Sequence, residues 1–214
     1  MQNEKIKKDL IVYKGKGVPL ELPENPKIIS NTPMQSSKYI EVRHLVFLEN
    51  GKEKTWDIAR SHDSVAILLY DFVRDGFIFV RQFRVSVFLK NPRHGYVYEL
   101  CAGLCDKEGK DVAQIAAEEL EEECGYCIRS ESLESISTFY SSVGMNGSLQ
   151  HLFYAKVSDD DRTKSGGGSE SENENIDIIF VPYELIDEFL DDDLCPKSQS
   201  LCYAIMWFKL NLKR

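Results

Sequence analysis

The stretch AILLYDFVRDGFIFVRQF (66–83) does most to limit what this chain can become. Two runs rich in aliphatic and aromatic residues flank Asp75-Gly76, a dipeptide that supplies the positive φ angles of a tight hairpin turn. Upstream, HLVFLENGKEKTWDI repeats the arrangement around Asn50-Gly51. Residues 39–84 are therefore predicted to form four strands in two hairpins. YVYELC (96–101), ISTFY (136–140), LQHLFYAKV (149–157) and IDIIFVP (176–182) read as further strands.

Helical signals lie between and after these strands. Asp111 followed by Gln114 resembles a capping box, and Gly125 stands where a left-handed C-terminal cap is wanted. They bracket a predicted helix over 112–124, with Val112, Ile115, Ala116 and Leu120 as its apolar stripe. A last helix is predicted to start near Pro196 and to turn Leu201, Ile205, Phe208 and Leu212 toward the core. The segment DDDRTKSGGGSESENEN (159–175) reads as a mobile loop with no core of its own. Three parts are expected: an arm over 1–38, a hairpin over 39–60 and a catalytic domain over 61–214.

Charge and composition remove several functions. A net charge of −9 leaves no basic surplus for a nucleic-acid backbone. No apolar run approaches the roughly 20 residues of a membrane span, and MQNEKIKKDL lacks the apolar centre of an export signal. The cytoplasm is the expected compartment, with all six cysteines as thiols. Cys101-x3-Cys105 and Cys124-x2-Cys127 loosely resemble a zinc ribbon. The first spacing is off and Cys101 ends a strand-like run, so small buried hydrophobes are the preferred reading.

The predicted helix at 112–124 ends in EELEEECGY (118–126), five glutamates in six positions. Like charges three or four residues apart cost about 0.2–0.5 kcal/mol per pair on a helix. Glu119, Glu122 and Glu123 stand at i, i+3 and i+4, beside the apolar stripe. Hard oxygen ligands gathered in this way suit Mg²⁺ or Mn²⁺. Taken alone, such a cluster is more often a solvated face. Arg81 and Arg84 in VRQFR suit bidentate phosphate binding. They point to opposite faces of a continuous strand, and Arg84 is the preferred phosphate ligand. Glu99 reads equally as an acceptor for substrate hydroxyls or as a paired, buried carboxylate.

The segment CAGLCDKEGKDVAQIAAEELEEECGY (101–126) resembles the Nudix box, matching it at Gly103, Glu119, Leu120, Glu122, Glu123, Gly125 and Tyr126. The loop after Gly103 is one residue longer than the usual pattern, which leaves Lys110 near the place of the first box glutamate. Glu118 stands where the family has an arginine that orients the neighbouring carboxylates. SHDSVAILLYD, VRQFR, YSSVGMNG and ENENIDI are similar to the nucleoside-diphosphate-sugar branch of the family.

The resemblance implies an α/β/α sandwich with a mixed sheet and additional N-terminal antiparallel strands. It implies a Mg²⁺ site (Mn²⁺ as substitute) formed by the backbone of Ala102 with Glu119, Glu122, Glu123 and the loop residue Glu174. Glu172 is the implied general base, with Glu122 of the acidic helix as the other source. Gly144 joins Arg84, Arg81 and Glu99 in the implied substrate set. The implied reaction is hydrolysis of a nucleoside diphosphate sugar, UDP-glucose to UMP and glucose 1-phosphate, with ADP-ribose as the alternative and a non-catalytic sensor as a third reading. A homodimer built through the 39–60 hairpin completes these expectations.

Overall fold

The computed structural model describes residues 9–18, 20–24, 26–169 and 174–212. The two predicted hairpins form: β2 (Glu41–Glu49) with β3 (Lys52–Arg60), and β4 (Ser64–Asp71) with β5 (Gly76–Phe83). Asn50 and Asp75 take the positive φ values, 53° and 60°, that their turns require.

The β4–β5 hairpin pairs only near its turn, from Leu69↔Ile78 to Asp71↔Gly76. Beyond that point its strands splay, and the segment predicted as one strand enters the wedge as two. β6 (Tyr96–Glu99) pairs with β5, and β7 (Cys101–Leu104) pairs with β4. β8 (Glu134–Tyr140), β9 (Leu149–Val157) and β10 (Asp177–Pro182) complete a mixed sheet, in which β9 runs parallel to β4. The predicted arm contributes an element that the sequence did not reveal. Its two-residue strand β1 (Ile11–Val12) pairs in parallel with β10. Two residues are too few for any periodicity.

Alternation along the strands explains the sandwich. Ala66, Leu68, Tyr70, Phe77 and Phe79 enter one apolar cluster, while Val65, Ile67, Leu69, Ile78 and Val80 enter the other. The first face is covered by α3 (Ile186–Leu190) and α4 (Gln199–Asn211). The second is covered by α2 (Val112–Glu119), started by the predicted capping box of Asp111 and Gln114. Leu201, Ile205 and Phe208 are buried as predicted. A short helix α1 (Val85–Lys90), absent from the sequence reading, follows β5. Cys101 and Cys124 lie buried in the second cluster and pack as small hydrophobes.

Phe208 joins α4 to the sheet. Its ring centroid lies 4.9 Å from those of Tyr70 and Phe77, 5.9 Å from Tyr154 and 6.1 Å from Tyr183. Phe208→Ala is expected to destabilise the protein by about 3–5 kcal/mol through lost transfer energy and the cavity left behind. Urea unfolding of the variant beside the wild type measures this; a cost below about 1 kcal/mol would place α4 outside the cooperative core.

Candidate active site

The acidic helix departs from its prediction where its chemistry begins. The α-helical pattern stops at Glu119, and Leu120–Cys124 forms one widened π turn. Gly125, at φ 79°, closes it with its N–H bonded to the carbonyl of Leu120. Leu120 and Cys124 remain in the core, and Glu123 is drawn in with them to 3% exposure. Its Oε2 accepts a 3.0 Å hydrogen bond from the backbone N–H of Ala102 on β7. Glu119, Glu122 and Glu123 line one cleft of about 540 Å³, together with Ala102, Gly103, Arg84, Glu99, Gln82, Gln150 and Glu174.

Gly103 is what lets helix and strand come this close. A Cβ built at that position would lie 2.2 Å from the carboxyl carbon of Glu119. A side chain there would push the carboxylate away from the strand.

The described part of the glycine-rich segment, read from the sequence as a mobile loop with no core of its own, forms a strap bonded to the end of the acidic helix. Thr163 and Lys164 donate their N–H groups to the carbonyl of Gly125, Gly167 donates to Glu123 at 2.7 Å, and Gly168 donates to Glu122 at 3.3 Å. The last carbonyls of a helix lack internal partners. A backbone without Cβ atoms can approach them closely enough to serve. At the end of the strap, Ser169 and Glu174 exchange hydrogen bonds: the Glu174 N–H donates to the Ser169 carbonyl, and the Ser169 N–H donates to Glu174 Oε2. Glu174 is thereby fixed on the cleft wall. Glu172 lies outside the described residues.

The arginines divide as alternation requires. Arg84 borders the cleft and holds Glu99 in a two-pronged pair, Nε to Oε1 at 2.9 Å and Nη2 to Oε2 at 2.8 Å. Of the two readings left open for Glu99, the paired carboxylate is the observed one. Arg81 does not reach the cleft, which corrects its assignment to substrate. It is 1% exposed and lies in the register row Asp177–Arg81–Tyr98. It donates to Asp177 at 2.8 Å and to the carbonyl of Glu21 at 2.8 Å, tying the N-terminal arm to the sheet. Gly144 also lies away from the cleft. Its carbonyl accepts the Trp56 indole N–H at 2.8 Å, so the YSSVGMNG loop is fastened to the β2–β3 ribbon.

Burial pushes the Glu123 carboxyl up to about 8, and the neighbouring charges of Glu119 and Glu174 add to the rise. Burial also raises Glu119, against the pull of the Lys107 ammonium 2.9 Å away. Among the described residues, no three His, Cys, Asp or Glu side chains are gathered tightly enough to enclose a cation. The chemistry of the donors nonetheless suits a hard divalent ion: carboxylate oxygens share one wall, and one of them is buried at the cost of its charge.

This has a measurable consequence. A carboxyl raised from 4.5 to about 8 binds its proton more tightly in the folded state. Its stabilising contribution is complete below the unfolded value and is lost as pH rises through the folded one. In chelator, the melting temperature is expected to fall between pH 5 and 8, and Glu123→Gln, which resembles the protonated acid, is expected to remove that fall. Melting curves of both proteins decide it; the same slope in the variant would exclude Glu123 as its source.

No profile of a known protein family matches the chain. Individual proteins do. The uridine diphosphate glucose pyrophosphatase NUDT14 of Bos taurus is 33% identical over 198 residues, covering 81% of this chain and 89% of that protein. Its Mus musculus counterpart is 33% identical over 197 residues, at 80% and 89% coverage. A GDP-mannose pyrophosphatase of Cronobacter sakazakii is 34% identical over 121 residues, at 56% and 60% coverage. A crystal structure of an ADP compounds hydrolase shares the fold, with a TM-score of 0.64 over 91% of this chain and 100% of that one, at 18% identity. With the acidic box, the cleft and these relatives together, the chain belongs to the Nudix hydrolases, as one of their sugar-nucleotide pyrophosphatases, enzymes that hydrolyse phosphorus anhydrides.

Proposed function

We propose that the chain hydrolyses the diphosphate bond of UDP-glucose, giving UMP and glucose 1-phosphate, with Mg²⁺ as its metal. The observation that carries this reading is the composition of the cleft: an acidic wall of Glu119, Glu122, Glu123 and Glu174 together with the guanidinium of Arg84. Such a site suits a metal-bound diphosphate. The choice of sugar nucleotide rests on the substrate in the names of the Bos taurus and Mus musculus relatives.

Glu119, Glu122 and Glu123 would hold the metal, with Glu174 completing the donor set beside the backbone of Ala102. Bound there, it would polarise the phosphoryl oxygens and lower the pKa of a coordinated water. The protein's own groups supply the rest. Glu99 uses two of the five N–H donors of Arg84 and fixes the plane of its guanidinium, which leaves three for phosphate oxygens. Glu172 would take the proton of the attacking water, the role that the family resemblance implies for it. The water oxygen bonds to one phosphorus, the bridging P–O bond breaks, and the departing phosphate keeps the electron pair.

The assay is a panel of UDP-glucose, GDP-mannose and ADP-ribose at saturating Mg²⁺, with and without chelator. UDP-glucose is expected to give the highest kcat/KM, and chelator is expected to abolish turnover until Mg²⁺ or Mn²⁺ is restored. A tenfold preference for ADP-ribose or GDP-mannose would reassign the substrate, and turnover in chelator would overturn the metal.

The β2–β3 ribbon supports an assembly. Val42, Val46, Leu48, Phe47 and Trp56 are all at least 40% exposed, and they lie on both of its faces. An isolated two-stranded ribbon is marginal in water, and a continuous apolar surface marks an interface. The reading is a homodimer built through this ribbon, in the cytoplasm. Among the described residues no helix is long and apolar enough to cross a membrane. Light scattering at micromolar concentration is expected to give twice the 24.5 kDa chain mass; a monomer would overturn the assembly.

A further inference from the structure

Glu118 reverses the charge that the Nudix box places beside its metal-binding carboxylates, and nearby lysines restore it. Lys107, from the loop between β7 and α2, sets its Nζ 2.9 Å from Glu119 Oε1 and 3.4 Å from Glu118 Oε2. Lys110 pairs with Glu118 from the same loop. Two lysines and one glutamate sum to +1, the charge that a single arginine at position 118 would have brought.

The placement adds something an arginine on the helix would not. Lys107 lies on the boundary of two cavities, one holding Glu119, Glu122 and Glu123 and the other holding Glu118, Glu121 and the glycine strap. The Glu119 side chain is 13% exposed, against 40% for Glu118. An ammonium on a four-carbon stem is a compact charge that can move between adjacent acceptors. A divalent cation on Glu119 would repel it, and Glu118 offers a second carboxylate already within reach.

We propose that Lys107 is an exchangeable counter-ion of the acidic wall: it neutralises Glu119 in the metal-free enzyme, yields Glu119 to the divalent cation, and is then retained by Glu118. This rests on the reading above that Glu119 is a metal ligand. The box arginine is thus replaced by a positioning residue that competes with the metal, and Glu118 is the receiving site that lowers the cost of the exchange. An exposed ion pair without consequence is the alternative, and such pairs are common.

Mn²⁺ binding to the purified 214-residue chain, measured by titration calorimetry, separates these cases. Lys107→Met removes the competitor and is expected to bind Mn²⁺ about two- to fivefold more tightly than wild type, the range that pairs of this exposure permit. Glu118→Gln removes the receiving site and is expected to bind it about two- to fivefold more weakly. In the Lys107→Met background the Glu118→Gln effect is expected to vanish, because no ammonium remains to be received. Lys107→Met is also expected to melt below wild type in chelator, with the gap closing in saturating Mn²⁺. Unchanged or weaker Mn²⁺ affinity in Lys107→Met would overturn the proposal. So would a Glu118→Gln effect that persists in the double variant, since that is the signature of through-space charge alone. A wild-type chain that gives no binding heat with Mn²⁺ would instead remove the acidic wall as a metal site, and this proposal with it.

Discussion

The architecture of the site depends on placing one carboxylate, that of Glu123, inside the protein. Its anchor is the Ala102 N–H, on the strand that enters the wedge between β4 and β5. Without the splay of that hairpin, β7 would have no place beside β4. The π turn and the glycine strap hold the same residue from the other side, the strap bonding its backbone carbonyl at 2.7 Å. Three elements distant in sequence thus converge on one buried acid. Its desolvation is unfavourable in isolation and disfavours the charged form of the acid.

The same logic organises the surrounding charges. Three carboxylates of the acidic helix have lysine partners: Lys107 for Glu119, Lys107 and Lys110 for Glu118, Lys164 for Glu121. The repulsion apparent in EELEEECGY is therefore distributed rather than endured. The outward residues are compensated by lysines of the flanking loops, while the inward residues face the cleft. Arg84, just past the end of β5, and Glu99 add a neutral, preformed pair at the cleft edge, and Arg81 within β5 performs an unrelated task.

Two departures from the sequence reading share a cause. The strap was read as a mobile loop with no core of its own because glycine and serine offer no apolar surface, and composition does not report backbone hydrogen bonds to another element. Arg81 was kept with Arg84 in the implied substrate set, although strand alternation already put the two on opposite faces. What each one meets is set by other segments of the chain, Asp177 of β10 for Arg81 and Glu99 of β6 for Arg84. The widened turn at 120–124 is of the same kind, since Leu120, Cys124 and Gly125 are compatible with either helical form.

The sequence by itself determined the strands, their turns, the apolar stripe of α2 and the acidic box, because these follow from local propensity and periodicity. Asn50, Asp75, Asp111 and Gly125 performed the local tasks assigned to them. The box also carried the family, since Gly103 and its glutamates stand at spacings that a strand, a loop and a helix must satisfy together. Only the tertiary structure decided which carboxylate is buried, which arginine borders the cleft, and that β1 and the glycine strap belong to the framework. Those outcomes are pairings between distant segments, and their energies depend on desolvation and on backbone partners that no local pattern encodes.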